Sequence, residues 1–429
     1  MAQVKKTSED LKLAAEAHVK YIQSLDTRKD ELDYWLTEHL RLSGLYWGLT
    51  ALHLLGRPDA LPRQEVVDFV LSCQHENGGF GAAPGHDAHM LSTVSAVQIL
   101  AMSDAFDELE ARGKGKQQVG KYIANLQNED TGTFAGDEWG EEDTRFLYGA
   151  FNALSLLKLL SLVDVDKAVV HITACANFDG GYGVGPGDES HSGQIFTCVA
   201  ALSIVGRLDL VDKEKLGRWL SERQVPCGGL NGRPEKQEDV CYSWWVLSSL
   251  EMIGRTHWID RDALIAFILR CQDVEKGGIS DRPGDMVDVW HTLFGITGLS
   301  LLGYPGLEMR ISRAPLNACQ LPGVASCQSR KAARPGRTFQ LDMAGTSNAF
   351  ILVLAWDLFF FAFWTILPSA TFLRSTGPAV DPVGWRPRSL FPLDLLGALS
   401  VAKPQPFCVF KFELTDHLRV TPKSRHPRP

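Results

Sequence analysis

Two kinds of helical segment alternate along the first three hundred residues. Stretches at 42–55, 90–101, 144–160, 191–205, 240–253 and 290–302 are apolar on nearly every side, as expected of helices buried all round. Segments at 19–25, 64–73, 118–126, 167–175, 213–223 and 261–271 instead carry apolar residues at helical spacing on one face only, as expected of an outer layer. Gly-rich turns separate each outer segment from the next inner one. The first glycines of three Gly-Gly pairs, Gly180, Gly228 and Gly277, are 48 and 49 residues apart, with looser spacing from Gly78 through Gly132. A period near fifty residues marks a repeat architecture. Six inner and six outer helices predict an all-α fold, an α/α toroid of six hairpins occupying residues 1–306.

Closure of such a ring brings the N-terminal ends of the inner helices to one rim, where their partial positive charges gather. The repeat register then places chemistry at that rim. Aligning repeats on Gly254 and Gly303 sets Asp239 opposite Asp288 and Tyr242 opposite His291. A carboxylate (Asp239), a thiolate (Cys241) and an imidazole (His291) from adjacent helices make a three-ligand set for Zn2+. Three protein ligands leave a fourth position open, which is how a catalytic zinc differs from a structural one. Asp288, three residues before His291, is placed to orient that ligand or to cap its helix.

Immediately before this set, the turn Gly228 to Lys236 contributes two cations, Arg233 and Lys236. With His191 at the start of the preceding inner helix and Tyr242 after Cys241, they form a donor group suited to a diphosphate. No Gly-Lys-Ser/Thr phosphate loop is present. Aromatic residues on the inner helices (Tyr46, Trp47, Phe146, Tyr148, Phe196, Tyr242, Trp244, Trp245 and Phe294) are available to line an apolar shaft beneath the cationic rim. That combination fits a long hydrocarbon with a diphosphate head.

Composition refines this picture. The chain is 45% hydrophobic and 22% charged, enough apolar surface for a large core. Residues 304–429 carry 15 Lys and Arg against 7 Asp and Glu, so the preceding 303 hold an excess of 16 acidic groups. So acidic a body disfavours nucleic acid as a partner. Nine cysteines are scattered without a close-spaced framework and the N-terminus opens on no apolar leader, which suggests a reduced, cytoplasmic chain.

The stretches Leu42 to Leu49, Gly228 to Trp245 and Asp281 to Asp288 resemble the beta subunits of protein prenyltransferases, in particular the Rab geranylgeranyltransferase (type II) branch, over about residues 15–306. The resemblance implies zinc ligands at Asp239, Cys241 and His291 and diphosphate contacts at His191, Arg233, Lys236 and Tyr242, with Gly193 and Trp245 also at the substrate. Asp239, Cys241, His291, Lys236 and Tyr242 are the expected catalytic set. In the family the position of Ser43 lies toward the far end of the lipid shaft, so a small serine there implies geranylgeranyl rather than farnesyl, with Tyr148 nearby working against that inference. By the same analogy the enzyme is a heterodimer with an alpha subunit, and its Rab GTPase substrate is presented by an escort protein. The rival expectations are a farnesyltransferase or terpene cyclase-like enzyme on the same toroid, and a non-catalytic or assembly-impaired splice-type variant.

The last rival arises from residues 307–429, where the repeat pattern stops. An apolar run at 349–367 has the length of a membrane span but contains Asp357. The favoured expectation is a poorly ordered tail of aberrant origin, such as a retained intron, because residues 379–383 resemble a stranded piece of the family's C-terminal strap.

Overall fold

A computed structural model describes residues 11–307. The expectations for the chain beyond 307, the apolar run at 349–367 among them, lie outside the described residues. Among the described residues no helix is long and apolar enough to cross a membrane. Fourteen α-helices run in chain order through this part, and β structure is confined to isolated bridges that pinch the turns between helices.

Six of the helices form the inner ring: α3 (Arg41–Leu54), α5 (Met90–Met102), α8 (Thr144–Leu157), α10 (Ser192–Ile204), α12 (Tyr242–Met252) and α14 (Val289–Leu301). Each packs on its sequence neighbours in the ring, and α14 packs back on α3, so the toroid is closed. The near-uniform apolarity of these segments now has its reason. In α5 every residue from Met90 to Leu100 is buried, and in α10 every residue from Ser192 to Ser203.

The outer layer comprises α1 (Ala15–Ser24), α4 (Arg63–Ser72), α7 (Gly115–Ala124), α9 (Val165–Ala174), α11 (Lys213–Ser221) and α13 (Arg261–Arg270). In α11 only Leu216, Gly217, Trp219 and Leu220 are buried, the single stripe expected of such a layer. Two short helices, α2 (Leu32–Leu36) and α6 (Phe106–Arg112), were not anticipated, being too brief for a periodic signal. The inner stretch expected at 144–160 stops at Leu157, where Lys158 turns into the left-handed region and ends the helix.

Closure is secured by hydrogen bonds between the first and last repeats. The Gly278 N–H donates to His18 Nδ1 at 2.8 Å, His18 Nε2 lies 3.3 Å from Gln272 Oε1, and the Ala14 N–H donates to the same oxygen at 2.9 Å. Accepting at Nδ1 fixes the neutral tautomer with its proton on Nε2, facing Gln272. Burial holds the His18 pKa down to about 4, which keeps that tautomer. The approach is close: a Cβ on Gly277 would come within 2.1 Å of the Ala17 carbonyl oxygen.

A second set of bonds stitches neighbouring repeats along the rim. The N–H groups at inner-helix starts donate to carbonyls in the following Gly-rich turn: Met90 to Gly136 at 2.7 Å, Ser192 to Gly232 at 2.9 Å and Val240 to Asp281 at 3.0 Å. Side chains just before these helices satisfy the next donors. His89, His191 and Asp239 accept from the N–H two residues on, at 3.1, 3.0 and 2.7 Å, and Asp288 accepts from that of His291 at 2.8 Å. These acceptors stand at repeat-equivalent places along the rim.

Candidate active site

The site gathers where α12 and α14 begin. Asp239, Cys241 and His291 each offer a ligand atom, and the three atoms lie within 4.8 Å of one another. Among the described residues no other group of three His, Cys, Asp or Glu side chains meets in this way. His291 Nε2 is 3.2 Å from Asp239 Oδ1, close to the roughly 3.3–3.8 Å between two ligands of one tetrahedral zinc.

The side chains behind them aim this set. Asp288 uses both oxygens, Oδ1 to cap α14 through the His291 N–H and Oδ2 at 2.5 Å from His291 Nδ1. With Nδ1 committed to Asp288, Nε2 is the ring nitrogen left for a metal. Asp239 likewise spends Oδ1 on the Cys241 N–H, which fixes its carboxylate over the start of α12.

The electrostatics call for a cation at the same point. Burial alone would lower the His291 pKa, yet its hydrogen bonds and charge interactions with Asp239 and Asp288 prevail and raise it to about 10. Burial works to raise the Asp239 pKa and is outweighed by the partnership with His291, so that carboxylate stays charged. Cys241 is fully buried, and burial followed by the Asp239 charge pushes its thiol well above the usual range. A divalent ion would reverse that preference by taking the sulfur as thiolate. Donor types, spacing and charge therefore all fit zinc.

Beside the trio, His191 Nδ1 accepts the Gly193 N–H, which leaves Nε2 protonated and 3.3 Å from the Tyr242 hydroxyl. Burial, and then the nearby Arg233 charge, lowers the His191 pKa to about 3, so the ring is neutral. Burial raises the Tyr242 pKa well above the usual range, so its hydroxyl keeps its proton. The two side chains are thus linked, with His191 Nε2–H donating to the Tyr242 hydroxyl. Gly232 makes room for it, since a Cβ there would lie 2.3 Å from the Tyr242 hydroxyl oxygen.

Arg233 and Lys236 are the first and last residues of a turn closed by the Lys236 N–H to the Arg233 carbonyl at 3.3 Å. Pro234 follows Arg233 and Glu235 adopts φ 64°, where the matching turn at Arg282–Asp285 has Gly284. Asn231 Nδ2 holds the turn by donating to the Lys236 carbonyl at 2.9 Å. Arg233 forms an ion pair with Glu189 of the preceding repeat, a partner that the sequence did not suggest.

Below the rim, aromatic rings form a continuous wall. Trp47 meets Trp290 at 5.0 Å between centroids, Trp290 meets Phe294 at 4.5 Å, Phe294 meets Trp245 at 5.1 Å, Trp245 meets Phe196 at 4.9 Å and Phe196 meets Tyr148 at 5.3 Å. Trp290 was missed as a member of this wall, although its place directly before His291 at the start of an inner helix was the available signal. Ser43 is buried and its hydroxyl lies 3.1 Å from that of Ser95 on the adjoining inner helix.

A family model for the prenyltransferase alpha-alpha toroid domain matches residues 13–329. The chain is 55% identical over 305 residues to the geranylgeranyl transferase type-2 subunit beta of Saccharomyces cerevisiae, covering 70% of this chain and 93% of that one. It is 55% identical over 303 residues to the type-2 subunit beta 1 of Arabidopsis thaliana, covering 71% and 92%. A farnesyltransferase subunit beta from Schizosaccharomyces pombe is more distant, at 30% over 274 residues, with 61% and 71% covered. Among solved structures, Candida albicans protein geranylgeranyltransferase-I complexed with GGPP matches in fold, with TM-score 0.62, 22% identity and coverage of 69% of this chain and 93% of that one. A closed ring of six α-hairpins, matched over this span and at this identity, makes the chain a member of the protein prenyltransferase beta-subunit family, on its type-2 geranylgeranyl transferase branch.

Proposed function

We propose that this chain is the catalytic beta subunit of a zinc-dependent enzyme that transfers geranylgeranyl from its diphosphate to C-terminal cysteines of Rab GTPases. The observation carrying this reading is the meeting of Asp239, Cys241 and His291 beside the His191–Tyr242 pair. Bound zinc would supply a Lewis acid that keeps the incoming substrate cysteine as its thiolate at neutral pH. Asp288 orients His291 toward the ion, and Asp239 and Cys241 complete the protein's share of the ligands. The aromatic wall from Trp47 to Tyr148 takes the hydrocarbon, Gly193 fixes His191, and Trp245 stands at the centre of the wall.

Chemistry at C1 of the lipid breaks a C–O bond and forms a C–S bond, while negative charge grows on the departing diphosphate. Tyr242 donates to that group, His191 orients Tyr242, and Arg233 and Lys236 supply charge. These contacts strengthen as the charge develops and so lower the barrier rather than merely holding the substrate. Ser43 and Ser95, with small side chains, leave length for geranylgeranyl. An alpha subunit as partner, presentation of the Rab by an escort protein, action in the cytoplasm and a domain boundary at 306 belong to the same reading. The test is co-expression with an alpha subunit, metal analysis, and transfer of geranylgeranyl against farnesyl to a Rab. One zinc per chain and preference for geranylgeranyl are expected; a metal-free enzyme of equal activity would overturn the reading.

A further inference from the structure

Glu189 lies two residues before the capping His191, and its carboxylate pairs with the Arg233 guanidinium of the next repeat. The same cross-repeat contact recurs one step round the ring. There Arg282, 49 residues after Arg233, donates to Gln237, 48 residues after Glu189. At the second position Arg282 is also paired with Asp281 and Asp285, at 3.1 and 3.2 Å, and the cross-repeat partner is a neutral amide. The toroid thus builds one bridge twice, and a carboxylate is not required to make it. A carboxylate stands at the copy where the arginine's charge reaches His191 and Tyr242.

A structural brace needs only the hydrogen bond, which Gln237 provides. The negative charge of Glu189 has a different consequence: it neutralises Arg233, and an anion arriving at Tyr242 must either displace it or bind against its repulsion. We infer that Glu189 is a resident counter-anion of the diphosphate site, a positioning residue that holds Arg233 in the empty enzyme and is displaced when diphosphate binds. This rests on the diphosphate reading proposed above. It makes Glu189 a determinant of how tightly diphosphate is held and how readily it leaves. Both partners reach solvent, with side-chain exposures of 35% for Arg233 and 63% for Glu189, so exchange needs no opening of the core.

The test is Glu189→Gln in the full chain co-expressed with an alpha subunit, with Kd for inorganic diphosphate measured by calorimetry. Gln keeps the bond that Gln237 makes and removes the charge. Relief of one partly exposed carboxylate is expected to tighten diphosphate about two- to fivefold. KM for the prenyl diphosphate falls in parallel, and the unfolding temperature is unchanged. Glu189→Asp, which retains the charge, stays near wild type. In an Arg233→Ala background, where diphosphate binds more weakly, Glu189→Gln loses its effect. Unchanged or weaker diphosphate binding in Glu189→Gln, with Arg233→Ala still impaired, would overturn the counter-anion role. Arg233→Ala that binds diphosphate as wild type does would overturn the site assignment on which it rests.

Discussion

Gly232→Ala tests whether the Tyr242 hydroxyl is held where chemistry needs it. Gly232 does not require the left-handed region, since it is absent from the positive-φ glycines, so its backbone accepts alanine. The obstacle is the Tyr242 ring: an added Cβ would stand 2.3 Å from both Cζ and the hydroxyl oxygen. Ordinary contact is about 3.5 Å, so the ring must withdraw by about 1 Å. Tyr242 is 5% exposed and packs against the His191 ring at a centroid distance of 5.8 Å, so withdrawal strains its neighbours. Overpacking of this kind costs about 1–3 kcal/mol of stability. A shift of about 1 Å in a positioned catalytic group costs roughly 100-fold in rate. Steady-state prenyl transfer by the purified variant should therefore fall by about two orders of magnitude in kcat/KM. Zinc content should be unchanged, because neither Gly232 nor the Tyr242 hydroxyl belongs to the metal set. Activity within twofold of wild type, or loss of metal together with activity, would show that the close approach of Gly232 does not hold the Tyr242 hydroxyl in place.

Asp288→Asn keeps a good cap for α14 but removes the carboxylate from His291 Nδ1; zinc affinity, read by competition with a chelator, should drop about 10- to 100-fold with helix content intact. His18→Ala deletes the closing bonds to Gly278 and Gln272 and leaves a buried void, so chemical denaturation should show a loss of about 3–5 kcal/mol. The same histidine predicts a pH dependence. Its folded pKa of about 4 lies below the ordinary 6.5, so the unfolded chain binds the proton first and stability falls as pH drops from about 6.5 to about 4. About 3 kcal/mol is lost across that window from His18, and urea titrations should show a shallower pH slope in His18→Ala.

How much of this was legible in the sequence depends on whether a feature repeats. The inner helices could be placed from their apolarity, and Asp239 could be set opposite Asp288, because Gly254 and Gly303 mark equivalent helix ends in neighbouring repeats. Closure of α14 onto α3 followed from the repeat number alone. Features that depend on side-chain direction were hidden. His191 reads as a phosphate donor in sequence, but nothing there shows that its Nδ1 accepts the Gly193 N–H and that its Nε2 lies 3.3 Å from the Tyr242 hydroxyl. Glu189 looks like one more acidic residue in an acidic body until the ring places it against Arg233. The helix α2 has five residues, less than two turns, so no period could reveal it. The gathered helix N-termini are also partly used up, because the first N–H of several inner helices is stitched to the next repeat.

The proposed chemistry requires that Asp239, Cys241 and His291 share one metal ion. X-ray absorption at the zinc edge of the purified protein tests it directly. About one zinc per chain is expected, with a sulfur neighbour at roughly 2.3 Å and nitrogen or oxygen neighbours at roughly 2.0–2.2 Å, the sulfur disappearing in Cys241→Ser. A zinc shell without sulfur, or the same sulfur signal after Cys241→Ser, would contradict it.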